Sequence, residues 1–562
     1  VAPDLTESLQ RLYGFREFRG VQRAVIEHHL ASGSALVLMP TGEGKSLCYQ
    51  LPAFVGDGLT VVVSPLIALM DDQVAALAAR QLPATCIHSM LERSERERRL
   101  QTVQSGAVKL LYVTPERFRT SGFLDRMREV GVRRLAVDEA HCVSHWGHDF
   151  RPDYLRLGDV RQALGNPPCL ALTATATPEV QADIRSVLGL QDAPLFHTGL
   201  ARPNLLLSVQ HCDHDEDKLA RLLAVLQRTG GPAIVYCALI RDLLALEAQL
   251  QRHGYRPLLY HGDMSAHERR THQRAFVDSE NTLMLATNAF GMGVDKSDIR
   301  AIVHWQIPRT LEAYYQEVGR AGRDGLGSYC ELLYREQDLA IQRDFTEWAN
   351  PTADFARQVV NHLQGLGERV HAVDLETLQN SFLTKNRHDG RIATVLRLLA
   401  SAGCTTGELG RNFELVRVPD DAELDAWLPE DKRKHDLMGL LRMVRYATEA
   451  ACRKQTIHEH FGFRDIENGC GACDVCTDTA AWQDEHLPSA RALSTAGTSS
   501  ADPDPAAPLQ RGDWIEVERL GLCCVQRVHR RGKHWHADVE RAHNFQSQRI
   551  DLGRRTWKKV VR

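Results

Sequence analysis

Met39-Pro40-Thr41-Gly42-Glu43-Gly44-Lys45-Ser46 sets small residues, a lysine and a hydroxyl directly after the apolar run Ala35-Leu36-Val37-Leu38. A helical pattern at Leu47, Cys48, Tyr49 and Leu51 follows. Such a loop wraps backbone N–H groups round phosphates, adds the positive end of a helix dipole, and supplies an ammonium for the terminal phosphates (Lys45) and a hydroxyl for Mg²⁺ (Ser46). It departs from G-x-x-x-x-G-K-[ST] at the first position, where Met39 stands. Downstream, Ala136-Val137-Asp138-Glu139 ends a buried strand on two carboxylates. In that pairing Asp138 is suited to hold Mg²⁺ and Glu139 to polarise an attacking water. Further on, Gln316-Glu317-Val318-Gly319-Arg320-Ala321-Gly322-Arg323 carries two arginines three residues apart. On one helical face or turn they are placed to neutralise charge developing on a γ-phosphate across a cleft.

A second chemistry is written in the cysteines. Cys452 is followed after 17 residues by Cys470-Gly471-Ala472-Cys473-Asp474-Val475-Cys476. Four thiolates, three of them on a tight turn and Cys452 expected on the preceding helix, can close a tetrahedral Zn²⁺ shell, and the same set also permits an iron–sulfur cluster. A closed shell predicts a structural ion with no part in hydrolysis. Singly placed cysteines such as Cys48, Cys169, Cys237 and Cys330 are expected to pack as small apolar side chains.

These groups need a scaffold. The chain has 562 residues, 68 Lys+Arg against 72 Asp+Glu (net −4), 43% hydrophobic and 25% charged residues. That excludes wholesale disorder, a collagen-like repeat and a small disulfide scaffold. No run approaches the ~20 apolar residues that span a bilayer, and Val1-Ala2-Pro3-Asp4 lacks a basic, then apolar, leader pattern, so a reducing cytoplasm is expected and no membrane partner. Short apolar runs at 35–38, 60–63, 109–113, 134–137 and 169–172, then at 233–236, 257–260, 282–286 and 301–305, alternate with amphipathic stretches. Continuous rather than alternating apolarity means strands covered on both faces, hence parallel sheets between helices. Two such series predict two tandem α/β lobes, 1–205 and 206–345.

Residues 346–425 are expected to be mainly helical, with an inward face at Ile392, Val395, Leu396 and Leu399 before a short strand near 413–418, a pattern compatible with a winged helix and equally with a three-helix bundle. A long helix over 431–454, inward at Leu437, Leu441, Val444, Ala447 and Ala451, leads into the cysteine module, 426–480 in all. Residues 481–508 have the Ala/Ser/Asp/Pro composition of a linker. The tail, 509–562, has 13 Lys+Arg against 6 Asp+Glu, a net of +7, and alternating segments that predict a small β-barrel. Trp514, Trp535 and Trp557 either contact nucleic acid there or fill its core.

The motif set resembles superfamily 2 helicases, and within them the RecQ family of DNA helicases. The likeness runs from Tyr13-Gly14-Phe15-Arg16 to Gln22, through Thr41–Gln50, Ser64–Met70 and Thr114–Arg117, to Asp138-Glu139-Ala140-His141 and the loop His145-Trp146-Gly147-His148-Asp149-Phe150-Arg151. Thr173-Ala174-Thr175, Thr287–Lys296 and the arginine pair complete it, over about 1 to 345. The resemblance implies two RecA-like lobes with ATP and Mg²⁺ between them. Gln22 with Arg19 would read adenine, and Thr41, Gly42, Glu43, Gly44, Lys45 and Ser46 would bind phosphates. Ser46 and Asp138 would hold Mg²⁺, and Glu139 the water. Arg323 would be the arginine finger, assisted by Arg320. His145, Trp146, Phe150 and Arg151 would couple strand binding to hydrolysis, and Cys452, Cys470, Cys473 and Cys476 would form the family's zinc module. It also implies 3′→5′ movement on single-stranded DNA, unwinding of duplex DNA in repair or recombination, and partners such as single-strand-binding or other repair proteins. Glu43 stands where the family often has Gly, and the order of the C-terminal modules departs from the common layout. An RNA-directed enzyme with the same motor and a non-enzymatic zinc-bearing DNA adaptor are the other readings open to the sequence.

Overall fold

The computed structural model describes residues 4–487, apart from 121, 145, 147–150, 292–295, 383–388, 408, 411, 429 and 467–468. Beyond these it describes Leu509 and the strand segments 514–517, 521–531, 534–541, 547–551 and 557–560. Residues 1–493 form one compact unit and 494–562 another.

Seven parallel strands make the first sheet: β1 (Ala35–Leu38), β2 (Leu59–Val63), β3 (Ala84–Ile87), β4 (Leu110–Val113), β5 (Val132–Val137), β6 (Cys169–Thr173) and β7 (Leu195–His197), in the order β3-β4-β2-β5-β6-β1-β7. Every residue of β1, β2, β4 and β6 is buried, as expected of a sheet sandwiched between helices. The second sheet has six: β8 (Leu205–His211), β9 (Ala233–Tyr236), β10 (Leu258–Tyr260), β11 (Leu283–Ala286), β12 (Ala301–His304) and β13 (Ser328–Tyr334), in the order β10-β11-β9-β12-β13-β8, again all parallel. The expected strands are present in both. The apolar-run criterion passed over β3, β7, β8 and β13. The first two are edge strands, only partly covered, and β13 is interrupted by Glu331, fully buried and held by Arg221 and the Tyr329 hydroxyl.

Residues 353–427 have their own core. Helices Ala353–Leu366, Leu375–Phe382 and Arg391–Ser401 precede β14 (Thr405–Thr406) and β15 (Glu414–Leu415), which pair antiparallel, and Asp421–Trp427 follows. Val359, Leu363, Ile392, Val395, Leu399, Phe413 and Leu424 pack together inside.

Three details differ from the sequence reading. The helix expected over 431–454 is two, Glu430–Thr448 and Arg453–His460, with Cys452 capping the second rather than ending the first. Arg453 causes the break: its guanidinium donates to the Tyr446 and Glu449 carbonyls at the end of the first helix and turns the chain. The buried face of Glu430–Thr448 is Leu440, Met443, Tyr446 and Ala447, while Leu437 and Leu441 are about two-fifths exposed (40% and 41%). Both faces carry aliphatic residues, so a 3.6-residue period alone could not choose between them. Lastly, helicity extends into the expected linker as Thr479–His486, capped by Asp478, because Trp482 buries itself in the second lobe's core.

In the second unit β16 (Trp514–Val517), β17 (Gly521–Arg531), β18 (His534–Arg541), β19 (Ser547–Asp551) and β20 (Trp557–Val560) form an antiparallel sheet ordered β19-β18-β17-β16-β20. Ile515, Val517, Cys523, Val525, Ala537 and Val539 share its core. Among the described residues no pairing joins β19 to β20. The tryptophan side chains of this tail lie outside the described residues.

One ion pair pins the second lobe. Lys218, fully buried, donates to Asp338 and to the Trp305 carbonyl (2.7 Å). Removing one partner strands a buried charge. Lys218→Met is expected to destabilise the protein by about 3 kcal/mol or more, with Asp338→Leu in the same chain recovering most of the loss, both read from urea denaturation.

Candidate functional site

The chemistry-bearing loops gather at the carboxyl ends of the first sheet's strands, where open parallel sheets bind ligands. The phosphate loop follows β1, Asp138-Glu139 follows β5, and Thr173-Ala174-Thr175 leaves β6. The loop uses its glycines for position. Gly42 (φ 89°) and Gly44 (φ 76°) occupy the left-handed region. A Cβ at Gly42 would lie 2.8 Å from Arg323 Cγ, and one at Gly44 2.8 Å from Gln22 Nε2. Space and backbone both demand glycine.

Gln22, almost fully buried, donates to the Glu43 carbonyl (2.8 Å) and the Gly44 carbonyl (3.2 Å) and accepts from the Arg19 N–H (2.8 Å). Lys45 donates to the Met39 carbonyl (3.1 Å). Burial lowers its pKa, and the charges of Glu139 and Asp138 oppose that. Asp138 itself is raised to about 7, by burial first and then by the Glu139 charge, against the pull of Lys45.

Glu139 sits in the left-handed region (φ 48°, ψ 48°), which is uncommon for a side-chain-bearing residue and recurs at functional sites. His141 Nδ1 lies 3.3 Å from Glu139 Oε2 and 2.8 Å from Thr173 Oγ1. The Thr173 hydroxyl in turn donates to the Thr175 carbonyl (3.1 Å). The imidazole thereby sits between the carboxylate and the loop leaving β6.

The second lobe closes the site. Helix Leu311–Val318, capped by Thr310, delivers a turn over 319–325. Thr41 Oγ1 donates to the Gly319 carbonyl (3.0 Å), joining the phosphate loop to that turn. Between them lies a cleft of ≈ 970 Å³, counting its solvent-open mouth, lined by Thr41, Gly42, Gly44, Lys45, Ser46, Asp138, Glu139, Gln316, Arg320 and Arg323. Gln73 and Tyr112 line it too, and the sequence reading missed both. They belong to a relay in which the Gln50 amide donates to Gln73 (2.8 Å) and to the Tyr112 hydroxyl (2.9 Å). Ser46 and Asp138 bring hard oxygen donors to one wall, the donor chemistry that suits Mg²⁺.

Of the coupling loop, His145 and Phe150 lie outside the described residues. Arg151 donates to the Pro65 carbonyl (3.0 Å). The Trp146 N–H donates to Ser144 Oγ (3.1 Å), and Ser144 donates to Asp183 (2.5 Å). The Trp146 ring packs tilted at 45° against His435 of helix Glu430–Thr448, centroids 4.8 Å apart, a contact no sequence period could forecast.

Cys452, Cys470, Cys473 and Cys476 bring their sulfurs within 4.8 Å of one another. Four soft thiolates in that space fit a closed zinc shell. Hydrogen bonding with Cys470, the largest influence, holds the Cys473 thiol down to about 5. His458 and His460 are engaged elsewhere, with Asp465 (2.6 Å) and Glu312 (2.7 Å). The module docks on the edge of the second sheet: the Asp474 N–H donates to the Leu207 carbonyl (3.0 Å) of β8, and Arg453 grips the Asp474 carboxylate (2.8 Å). One zinc per chain is expected by metal analysis. Cys473→Ser should lose most of it and lower the melting temperature, since binding of a structural zinc is folding free energy.

Comparison with known proteins agrees with this geometry. Three family models match: DEAD/DEAH box helicase over residues 19–184, the helicase conserved C-terminal domain over 216–325, and RecQ zinc-binding over 421–477. The chain is 35% identical over 498 residues to the ATP-dependent DNA helicase RecQ of Synechocystis sp., spanning 84% of this chain and 98% of that protein. It is 40% identical over 367 residues to the probable ATP-dependent DNA helicase RecS of Bacillus subtilis, spanning 65% of this chain and 74% of the relative. Among solved structures, Mss116p bound to ssRNA and AMP-PNP aligns with a TM-score of 0.50 at 15% identity, over 71% of this chain and 92% of that one. The helicase MrfA bound to DNA aligns with 0.50 at 14%, over 75% and 61%. At such identities these two speak for the fold alone.

Proposed function

The chain belongs to the RecQ family of ATP-dependent DNA helicases, and on that premise we propose that it moves 3′→5′ along single-stranded DNA and unwinds duplex DNA in repair or recombination. It is an ATP-hydrolysing enzyme that uses Mg²⁺, with zinc as a structural ion. The observation that carries the mechanism is the single cleft lined by Lys45, Ser46, Asp138 and Glu139 from one lobe and Arg320 and Arg323 from the other. A ligand bridging these groups holds the lobes together, and its cleavage releases them.

In this reading the N–H groups of the loop 41–46 and the Lys45 ammonium bind the phosphates, while Gln22 and Arg19 take the adenine edge. Ser46 and Asp138 hold Mg²⁺, which when bound neutralises phosphate charge. Glu139 orients the attacking water, with His141 beside it. Arg323, with Arg320 beside it, compensates the charge that gathers on the transferred phosphoryl group; such arginines are worth about 10³ to 10⁵ in turnover. The water adds to the γ-phosphorus as the bond to the β–γ bridging oxygen breaks, giving ADP and inorganic phosphate. The non-enzymatic adaptor is disfavoured because Lys45, Ser46, Asp138, Glu139, Arg320 and Arg323 are all retained and line one cleft.

Trp146 offers its ring as a stacking surface for a base, and the links Ser144–Asp183 and Arg151–Pro65 tie its loop to the elements beneath. The basic C-terminal sheet is an accessory DNA contact, and single-strand-binding proteins are partners of the kind this activity calls for. No helix among the described residues is long and apolar enough to cross a membrane.

Two outcomes test the reading. Lys45→Ala is expected to keep strand binding and lose hydrolysis by about a hundredfold or more. Trp146→Ala is expected to weaken the stimulation of turnover by single-stranded DNA about tenfold, the size of one base–aromatic stack. Unwinding assays on 3′-tailed, 5′-tailed and forked duplexes, with matched RNA, decide polarity and nucleic acid. Preference for the 5′ tail or for RNA overturns the corresponding part.

A further inference from the structure

The segment Thr198-Gly199-Leu200-Ala201-Arg202-Pro203-Asn204 joins β7 of the first sheet to β8 of the second and therefore connects the two lobes. It is held at both ends by parts of the nucleotide site. At its start, Thr198 Oγ1 donates to the Glu43 carboxylate in the phosphate loop (2.6 Å), and the Thr198 methyl closes on Gly20, where a Cβ would stand 2.4 Å away. At its end, the Arg202 guanidinium donates to the carbonyls of Ala321 (2.6 Å), Gly322 (3.0 Å) and Gly319 (3.3 Å). Asn204 adds bonds to the Gly322 (2.8 Å) and Leu326 (2.9 Å) carbonyls. These carbonyls belong to the turn that carries Arg320 and Arg323. A third element reaches the connector from outside both sheets: Lys454, 6% exposed and two residues beyond Cys452, donates from its ammonium to the Arg202 carbonyl (2.7 Å).

We propose that Arg202 is a positioning residue for the arginine motif, and that Lys454, carried on the zinc module's helix, sets Arg202 in that position. The turn at 319–322 has left the helix Leu311–Val318, so its carbonyls need donors from elsewhere. A planar guanidinium supplies several in a fixed fork, which a flexible ammonium does not. Fixing three carbonyls in four residues fixes the backbone from which both arginines project. Displacement of a charge-stabilising group by about 1 Å is enough to cost two orders of magnitude in turnover. The Gly319 carbonyl is shared by Arg202 and Thr41, so the turn feels the connector and the phosphate loop together. Lys454 holds the connector's main chain at the residue that makes the fork. The zinc module then reaches the interlobe connector through the Lys454 hydrogen bond, beside its contacts with Glu312 and Tyr314 of the helix that precedes the arginine turn.

This inference rests on Arg323 acting in hydrolysis as proposed above. It is tested with the full chain by DNA-stimulated ATP turnover of Arg202→Gln, Arg202→Lys and Lys454→Met, each alone and combined with Arg323→Ala, with zinc content and melting temperature followed in parallel. Arg202→Gln is expected to lower kcat about 10- to 100-fold with KM for ATP within about twofold, since ground-state binding is left intact. Arg202→Lys should fall between it and the parent, and it carries the test if Arg202→Gln does not fold. Lys454→Met should lower kcat several-fold while one zinc per chain is retained. In the Arg323→Ala background either substitution should lower the residual rate far less, because Arg320 is then the one arginine of the pair left to position. Equal losses with and without Arg323, or losses in KM alone, overturn the proposal, since a general structural role produces those. Parental kcat in Arg202→Gln and Lys454→Met, beside a lost rate in Arg323→Ala, overturns it and leaves the mechanism standing. A parental rate in Arg323→Ala itself overturns both.

Discussion

The hydrogen bond from Thr41 to the Gly319 carbonyl and the packing of Arg323 over Gly42 bring the phosphate loop and the arginine motif face to face. Lys45, Arg320 and Arg323 crowd one cleft with the same sign of charge, and Asp138 and Glu139 offset them only in part. A polyanion is the natural complement of that imbalance, because charges of opposite sign in a partly desolvated cleft attract far more strongly than in water. The fold keeps the opposing halves on separate sheets.

Asp138 shows how the site is held ready. Burial and its neighbour Glu139 make its ionised form unfavourable, and its pKa rises to about 7. Its carboxylate is better accommodated with a divalent cation beside it than without one. Glu139 carries a different burden, a left-handed backbone flanked by hydrogen bonds: its N–H donates to Asp138 Oδ1 (3.0 Å), and the Tyr154 hydroxyl donates to the Asp138 carbonyl (3.2 Å). At Asp138-Glu139 backbone strain and unfavourable charge coincide where chemistry is done.

Much of this was legible in the sequence. The central strands betrayed themselves through unbroken apolar runs, since a strand covered on both faces has no polar position to alternate. The phosphate loop, Asp138-Glu139 and the arginine pair could be found because their chemistry fixes residue type and spacing together. The four cysteines were found for the same reason, although the helix carrying Cys452 was not. What stayed hidden depends on tertiary contact. Arg202 and Asn204 sit in a short stretch with no periodicity, and their partners lie more than 115 positions away in the chain. Lys454 is an unremarked lysine until its ammonium is seen on a carbonyl 252 residues distant. Helix Glu430–Thr448 offered apolar residues on two faces, and only packing against the second lobe decided which was buried.

The position of the 353–427 domain bears on how such a chain tolerates rearrangement. It is inserted between the second lobe and the zinc module, yet it buries a core of its own. The contacts that seat the zinc module are made instead by Tyr446, which meets Tyr314 of the arginine-motif helix (centroids 5.2 Å apart), by Lys454, and by the turn at 472–474 on β8. All lie beyond the insertion and all touch the second lobe or the connector. A domain that folds on its own core and whose neighbours dock without it can lengthen the chain at small cost, because loop closure grows only logarithmically with length. What cannot move is the short reach from Cys452 to Lys454, since a zinc shell on one side and a connector carbonyl on the other fix both of its ends. The spacing of those residues, rather than the order of the domains, is the constraint that joins the zinc module to the cleft.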